Sequence, residues 1–589
     1  MTDVDFPNAP DAVRGYLSLV EKLGQFLEKL RLPEMGPEEL LYVQALLRNY
    51  VVRCFENQQE EYWHIAVIGG GGAGKSSVVN ILLGENLAET NPQAGYTRHP
   101  SAFCQVPPRA ADFLPRLRSV PARVPGNVDE DLYDLRVPQR RLLPREFVVW
   151  DNPDVTTIHA SHYTHRVIEV LGLADVVVYV ASAQRYNDRV PSQYLAMLAD
   201  SGKPTIACLT KVPEADISMV SEHFQREVLQ PLTQQTHVPC LVIPYKPLEQ
   251  LENPQATEVF RRQLLEQIDS WLQERTKFRQ DACIRILRYL ERKENQWQAL
   301  VQPELEALGE WHRLVEVQGE NILDRYNREF LSRERLAIFD EAMIRLLELL
   351  EIPVLGRLPS SVLEVLRIPW RGLKWLWTKL TSDTIPSGPL QDEREILTRA
   401  LETSLGQLWR EAQHRQQNSI FWQRLSQVLD PSSAWQRKII AALGEHFSKY
   451  EGVRRELIET IAGNIYGSLK ANPAALNTLR GTKLAVELAS IAGILISGGL
   501  NLWDLALVPL ATSMIQALTE FLGSQYVEVQ RENARQMQLS LVTQYLVQPV
   551  CQLVAHSDPA SEWQELRDIF PKLPHIRKFL MERLHAPQT

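Results

Sequence analysis

The chain has 589 residues, which is too long for a single hydrophobic core, so we expect roughly three or four domains. Its 63 basic and 72 acidic residues give a formal net charge of −9, which argues against nucleic acid as the main partner, because that requires a basic surface. The six cysteines are scattered without a C-x-x-C pair, and the acidic start, Met1–Asp5, carries no apolar run. We therefore expect a cytoplasmic protein with reduced thiols.

The spacing of apolar residues divides the chain into three blocks. Residues 10–58 carry apolar side chains at helical spacing, and residues 62 to about 275 alternate short apolar runs with helical patterns. Runs that are apolar on both faces indicate a parallel sheet covered by helices. Beyond 275 we predict only long amphipathic helices. The predicted strands are Ile65–Ile68, Ala102–Val106, Phe147–Trp150, Asp175–Val180, Thr205–Leu209 and Cys240–Ile243.

A phosphate-binding motif lies between the first predicted strand and a helix. Residues Gly69–Ser76 read G-x-x-x-x-G-K-S, with the apolar run His64–Ile68 before them and the helical run Ser77–Leu83 after them. Glycines allow a tight turn in which backbone N–H groups and the helix N-terminus point at phosphate oxygens. Lys75 adds a positive charge for the β- and γ-phosphates, and Ser76 offers a hydroxyl to Mg²⁺. The strand–loop–helix context predicts a nucleoside triphosphate site.

Four further residues have the character of nucleotide-site residues. Thr97 lies on a polar loop before the second strand, where it is either a γ-phosphate and Mg²⁺ sensor or an ordinary loop threonine. Asp151 closes the strand Phe147–Trp150, the position of a metal-side aspartate. Thr210 and Lys211 follow the predicted strand Thr205–Leu209, at a location that faces the base in such folds. No residue is identified that would position the attacking water.

These motifs resemble those of the dynamin-like branch of the large GTPases, including bacterial members in which helices and a hydrophobic hairpin follow the GTPase domain. The resemblance rests on the run Gly69–Gly84, which contains A-G-K-S-S, and on Tyr96–Pro100, which contains a T-R-x-P switch. It implies switch I at Thr97, switch II from Asp151, a guanine loop at Thr210–Lys211, and homodimerisation across the nucleotide face. The implied nucleotide contacts are Gly70, Gly71, Gly72, Ala73, Gly74, Lys75, Ser76, Ser77, Thr97, Asp151, Thr210 and Lys211, with Ser76, Thr97 and Asp151 on the Mg²⁺ side.

The predicted fold is an α/β P-loop GTPase domain, with a central and mostly parallel sheet, inserted between an N-terminal helical segment and a large all-α region. We place the helical segment at residues 1–60, the GTPase-type domain at 61–276 and the α-helical region at 277–589. Together with this organisation, the resemblance implies a GTP-binding protein, and a GTPase, that couples its nucleotide state to a rearrangement of helices.

The chain departs from the family pattern at positions that matter for chemistry. Switch II usually reads D-x-x-G, but Asp154 stands where the glycine should be and brings a carboxylate towards the γ-phosphate. Pro213 replaces the aspartate that reads guanine, which leaves Asp216 as a substitute and ATP as an alternative ligand. Gly72 occupies the position of a polar catalytic residue in dynamins. A non-hydrolysing nucleotide-binding scaffold and an ATP-selective switch therefore remain alternatives.

Two stretches indicate contact with an anionic membrane surface. Residues 363–380 place Trp370, Trp375 and Trp377 among arginines and lysines, which is typical of an interfacial helix, although a tryptophan-rich packing helix has the same composition. The apolar stretch 484–519 consists of two halves, each shorter than the roughly 20 residues that a spanning helix needs. It is either a buried hairpin, a hairpin in one leaflet, or a two-pass anchor. We expect a cytoplasmic protein that is peripheral at the membrane.

Overall fold

The computed structural model describes most of the chain, in ranges separated by gaps. The described residues are 8–30, 37–56, 62–90, 98–105, 113–120, 130–140, 142–156, 162–232, 238–251, 253–333, 335–350, 389–471, 473, 476 and 508–585. Thr97, the tryptophan-rich stretch 363–380 and most of the apolar stretch 484–519 lie outside them. The structural predictions for those three parts of the sequence therefore stay predictions.

An eight-stranded sheet forms the centre of the nucleotide-binding part of the chain. Its strands stand in the order β3-β4-β2-β5-β1-β6-β7-β8, and every neighbouring pair is parallel except β2 and β5. The strands are β1 (Trp63–Gly69), β2 (Ser101–Cys104), β3 (Arg118–Val120), β4 (Leu132–Arg136), β5 (Phe147–Asp151), β6 (Val176–Ser182), β7 (Thr205–Val212) and β8 (Cys240–Pro244). The predicted α/β domain with a mostly parallel sheet is confirmed.

All six strands predicted from apolar runs are present, and two strands were missed. Strands β1, β5 and β6 are buried along their whole length, as strands covered on both faces must be. The missed strands, β3 and β4, lie together at one side of the sheet and contain arginine or aspartate. A search for continuous apolar runs cannot detect such strands, because their polar residues interrupt the pattern.

Helices account for the rest of the described secondary structure, as predicted. They are α1 (Ala9–Leu30), α2 (Pro37–Leu46), α3 (Val52–Phe55), α4 (Lys75–Leu83), α5 (Thr164–Leu173), α6 (Arg189–Ser201), α7 (Ile217–Phe224), α8 (Leu248–Leu251), α9 (Pro254–Leu272), α10 (Arg275–Tyr326), α11 (Ala337–Leu349), α12 (Pro389–Arg415), α13 (Ile420–Val428), α14 (Ala434–Lys470), α15 (Val508–Leu522), α16 (Ser524–Val542), α17 (Gln548–Ala555), α18 (Ala560–Ile569) and α19 (Lys572–His585). Among the described helices, none has both the length and the apolar character needed to cross a bilayer.

The chain forms two compact units, and its C-terminal helix belongs to the first. Residues 1–301 and 566–589 make up the first unit, and residues 302–565 the second. In the first unit, α19 packs against α1. Glu294 of α10 links these two helices. It accepts a hydrogen bond from Tyr16 of α1 and forms an ion pair with Arg577 of α19, with 3.2 Å between Arg577 Nε and either carboxylate oxygen. Glu294 is buried, so both donors compensate for the loss of its hydration.

A buried polar cluster lies inside the second, all-helical unit. Arg454 donates two hydrogen bonds of 2.7 Å to the carboxylate of Glu341, one from each terminal nitrogen. Glu393 has no exposed surface and accepts a 2.6 Å hydrogen bond from each of Tyr326 and Tyr450. The cluster contains six residues from five helices: Tyr326, Glu341, Glu393, Tyr450, Arg454 and Gln538. Such a network fixes the register of the helices, because a shift of any one leaves a buried charge without its partner.

The substitution Arg454→Met should destabilise the helical unit by about 3–5 kcal/mol, because it leaves two buried carboxylates without their cation. A matched control is Arg399→Met, since the Arg399 side chain is 62% exposed and pairs with Glu395 on the same helix. We expect only a small change there. Urea unfolding of both variants, followed by circular dichroism, measures the difference; equal losses would show that the cluster does not hold the unit together.

Candidate nucleotide-binding site

The phosphate loop, residues 69–76, depends on glycine at specific points. Strand β1 ends at Gly69, which pairs with Val180 of β6. A side chain at Gly69 would place its Cβ 2.1 Å from the Val180 carbonyl oxygen, a distance that no other residue type can accommodate. Gly72 and Gly74 have φ angles of +69° and +95°, which favour glycine. Helix α4 then begins at Lys75, so its N-terminal amides lie next to the loop.

Ser76 and Asp151 form the candidate magnesium side of the site. The Ser76 hydroxyl donates a 2.8 Å hydrogen bond to Asp151 Oδ2, while Oδ1 of the same carboxylate is buried and has no hydrogen-bond partner among the described residues. Burial raises the pKa of Asp151 to about 6, opposed by the Ser76 hydrogen bond and the charge of Lys75. A hydroxyl and an unpartnered carboxylate oxygen suit Mg²⁺, which usually takes one or two protein ligands beside phosphate and water.

Residues 151–156, which we call the switch segment, lie against the phosphate loop at two further points. Lys75 forms an ion pair with Asp154 and donates a 3.1 Å hydrogen bond to the Gly70 carbonyl. The Gly71 amide donates a 2.8 Å hydrogen bond to the hydroxyl of Thr156. The sequence marks Asp154 as a departure from the family pattern but predicts neither its partner nor the contact of Thr156. No sequence signal marks these contacts, since they join residues about 80 positions apart.

Thr210 and Lys211, predicted to face the base, both contact the backbone of the phosphate loop. The buried Thr210 hydroxyl donates a 2.6 Å hydrogen bond to the Ala73 carbonyl, and Lys211 Nζ donates one of 2.7 Å to the Gly72 carbonyl. Lys211 has a φ angle of +57°, and it is the one described residue other than glycine with a positive value. Pro213 is exposed just beyond, and Asp216 precedes α7. The end of β7 is therefore fixed to the loop.

Arg166 of α5 was not predicted from the sequence, and it lies beside the region of the predicted sensor. It contacts the Arg98 carbonyl at 3.3 Å and His99 Nδ1 at 3.1 Å. Its Nε also donates a 3.0 Å hydrogen bond to Asp131. Arg166 is almost fully buried, so these contacts fix the two residues that follow Thr97 against α5.

The substitution Gly69→Ala should cost about 3 kcal/mol or more in the free energy of unfolding, because strand β6 cannot move away from the added methyl group. The matched control Gly72→Ala should cost only about 1–2 kcal/mol, the strain of its positive φ angle. Nothing lies within 4 Å of a Cβ at Gly72. Thermal and urea unfolding measure both values, and an equal cost at the two glycines would contradict the steric explanation.

The chain matches a family model and several solved structures. Residues 64–211 match the model described as 50S ribosome-binding GTPase, a range from β1 to β7 that includes the phosphate loop, Asp151 and Thr210. No curated protein shows a significant match to the chain.

Three of the structural matches are distant from this chain in sequence. An oligomerised bacterial dynamin pair, described as a mechanism for long-range sensing and tethering of membranes, is 13% identical; the alignment covers 96% of this chain and 95% of that chain, with a TM-score of 0.35. LeoA, a bacterial dynamin GTPase from ETEC, is 14% identical over 99% of this chain and 100% of its own, with a TM-score of 0.24. The GTPase Era, in complex with MgGDPNP and a 16S ribosomal RNA fragment, is 15% identical; the alignment covers 35% of this chain and 56% of that chain, with a TM-score of 0.23. Residues 64–211, which match the GTPase family model and contain the phosphate loop and most of the central sheet, form a P-loop GTPase domain.

Proposed function

We propose that this chain is a dynamin-like GTPase that binds GTP with Mg²⁺ and links the state of the nucleotide to its helices. The observation that carries the proposal is the arrangement around α4, where the phosphate loop, the Lys75 ammonium and the Ser76–Asp151 pair lie together. The match of residues 64–211 to a GTPase family supports guanine as the base.

The roles of individual residues follow from their chemistry. Lys75 and the backbone amides of residues 70–76 would bind the phosphates, and Ser76 with Asp151 would hold Mg²⁺, which neutralises phosphate charge. Thr97 would sense the γ-phosphate. Thr210 and Lys211 would shape the base side by holding the loop from the end of β7.

A chain of contacts within the first unit offers a route from the switch segment to the N-terminal helices. Tyr163, just before α5, donates a 3.0 Å hydrogen bond to the Asp154 carbonyl. Helix α5 packs closely on α2, since a Cβ at Gly172 would lie 2.6 Å from that of Ala45. Asn49 donates a 3.0 Å hydrogen bond to the Glu169 carbonyl on α5. Movement of the switch segment would therefore shift α5 against these helices.

Two parts of the proposed function rest on the sequence. The tryptophan-rich stretch 363–380, with its arginines and lysines, supports peripheral contact with an anionic membrane surface, because tryptophan and basic side chains favour the headgroup region. The dynamin-like resemblance supports a homodimer through the GTPase domain. Neither part requires a spanning helix.

Calorimetry with a non-hydrolysable GTP analogue and Mg²⁺ should show binding, and Lys75→Ala should weaken it by about 100-fold, since a charge-assisted contact to phosphate is lost. The matched control Lys277→Ala, an exposed lysine on α10, should bind like the wild type. Removal of Mg²⁺ with EDTA should weaken binding of the triphosphate. Equal affinity of wild type and Lys75→Ala would contradict the proposed site, and equal displacement by ATP would overturn guanine selectivity.

Anionic liposomes should recruit the wild-type protein in a flotation assay, and replacement of Trp370, Trp375 and Trp377 by Ala should reduce recruitment, because the interfacial aromatic groups are lost. Failure of both the wild type and the tryptophan variant to float with any nucleotide would exclude the membrane contact.

Phosphate release from GTP, measured with the wild type and with Lys75→Ala in the same assay, tests hydrolysis. If the wild type releases no more phosphate than Lys75→Ala, the result would favour a non-hydrolysing scaffold.

A further inference from the structure

We propose that Asp154 is a specificity-determining residue that disfavours the γ-phosphate, so that the site binds the nucleoside diphosphate relatively better than the triphosphate. This inference rests on the proposed function of the same site. It starts from the ion pair between Asp154 and Lys75, whose side chains are only 12% and 6% exposed.

The ammonium group of Lys75 has three protons to donate, and two already have acceptors. One goes to the Gly70 carbonyl at 3.1 Å, and another to the Asp154 carboxylate. In P-loop proteins this lysine reaches the β- and γ-phosphates. A γ-phosphate must therefore share the ammonium with Asp154 or displace its carboxylate. Because the pair is buried, water and salt screen the repulsion between carboxylate and phosphate only weakly.

The switch segment supplies an oxygen to each of three donors of the phosphate loop. Thr156 accepts from the Gly71 amide, Asp154 from Lys75, and Asp151 from the Ser76 hydroxyl. A triphosphate with its bound metal must take over more of these donors than a diphosphate must. Of the three acceptors, Asp154 occupies the position where the family pattern has glycine, so it adds a negative charge near the γ-phosphate that this pattern does not contain.

The backbone of Asp154 cannot withdraw freely from the phosphate loop. The Tyr163 hydroxyl, which is buried, donates a 3.0 Å hydrogen bond to the Asp154 carbonyl. Moving the backbone of Asp154 to take its carboxylate away from Lys75 would therefore strain the Tyr163 hydrogen bond, and this cost falls on the ligand that carries the γ-phosphate. A diphosphate does not incur the same cost.

Titrations of GDP and of a non-hydrolysable GTP analogue, both with Mg²⁺, test the proposal in the full-length protein. The variants are Asp154→Asn, which keeps the size of the side chain, and Asp154→Gly, which restores the family pattern. We expect the affinity ratio of triphosphate to diphosphate to rise about tenfold in both, equivalent to about 1.4 kcal/mol, with GDP affinity changed less. The control Asp269→Asn, the same chemical change at an exposed position of α9, should leave the ratio at the wild-type value.

The possible outcomes separate this inference from the proposed function. An unchanged ratio in both variants overturns the inference, and so does a fall, which would assign Asp154 to the support of the triphosphate. Loss of both nucleotides in both variants also overturns it, since Asp154 would then maintain the site as a whole. Absence of binding in the wild type and in Asp269→Asn instead refutes the proposed function.

Discussion

The parallel pairing of β1 with its two neighbours is the constraint on which the nucleotide site depends. Because β5, β1 and β6 run in the same direction, their carboxyl ends meet at one edge of the sheet. The phosphate loop leaves from β1 at that edge, Asp151 closes β5, and Thr210 lies on β7, next to β6. The contact between Gly69 and the Val180 carbonyl sets the distance between β1 and β6 where the loop begins. Side chains far apart in sequence are thereby brought around one turn of backbone.

Within this frame, the polar groups of the site are held mainly by one another. Burial disfavours the charged form of Asp151 and raises its pKa, and the Ser76 hydrogen bond offsets part of that cost. Lys75 is likewise buried and finds compensation in Asp154. A ligand that takes over any of these groups releases its protein partner. The energy difference between the two arrangements is what a nucleotide has available to move the switch segment.

The sequence predicted the parts of this molecule that depend on local patterns. Apolar runs located β1, β5 and β6, because strands buried on both faces must be continuously apolar. The glycine motif located the phosphate loop, because few backbone conformations surround an anion. The ion pair of Lys75 with Asp154 and the contacts of Thr156 and Arg166 were not predicted. They depend on distances in the folded chain that neither composition nor spacing encodes. The polar strands β3 and β4 were missed because they lack an apolar signature.

The return of α19 to the first unit has a consequence for how the gene can be shortened. Because residues 566–589 belong with residues 1–301, the second unit is a sequence insertion and not a tail. A protein ending after residue 301 would keep the phosphate loop and the switch segment, yet Glu294 would lose Arg577. The apolar side chains of α1 that α19 covers would face water. An isolated nucleotide-binding unit should therefore be made by joining the first segment to the last through a short linker, so that both ends of the chain are retained.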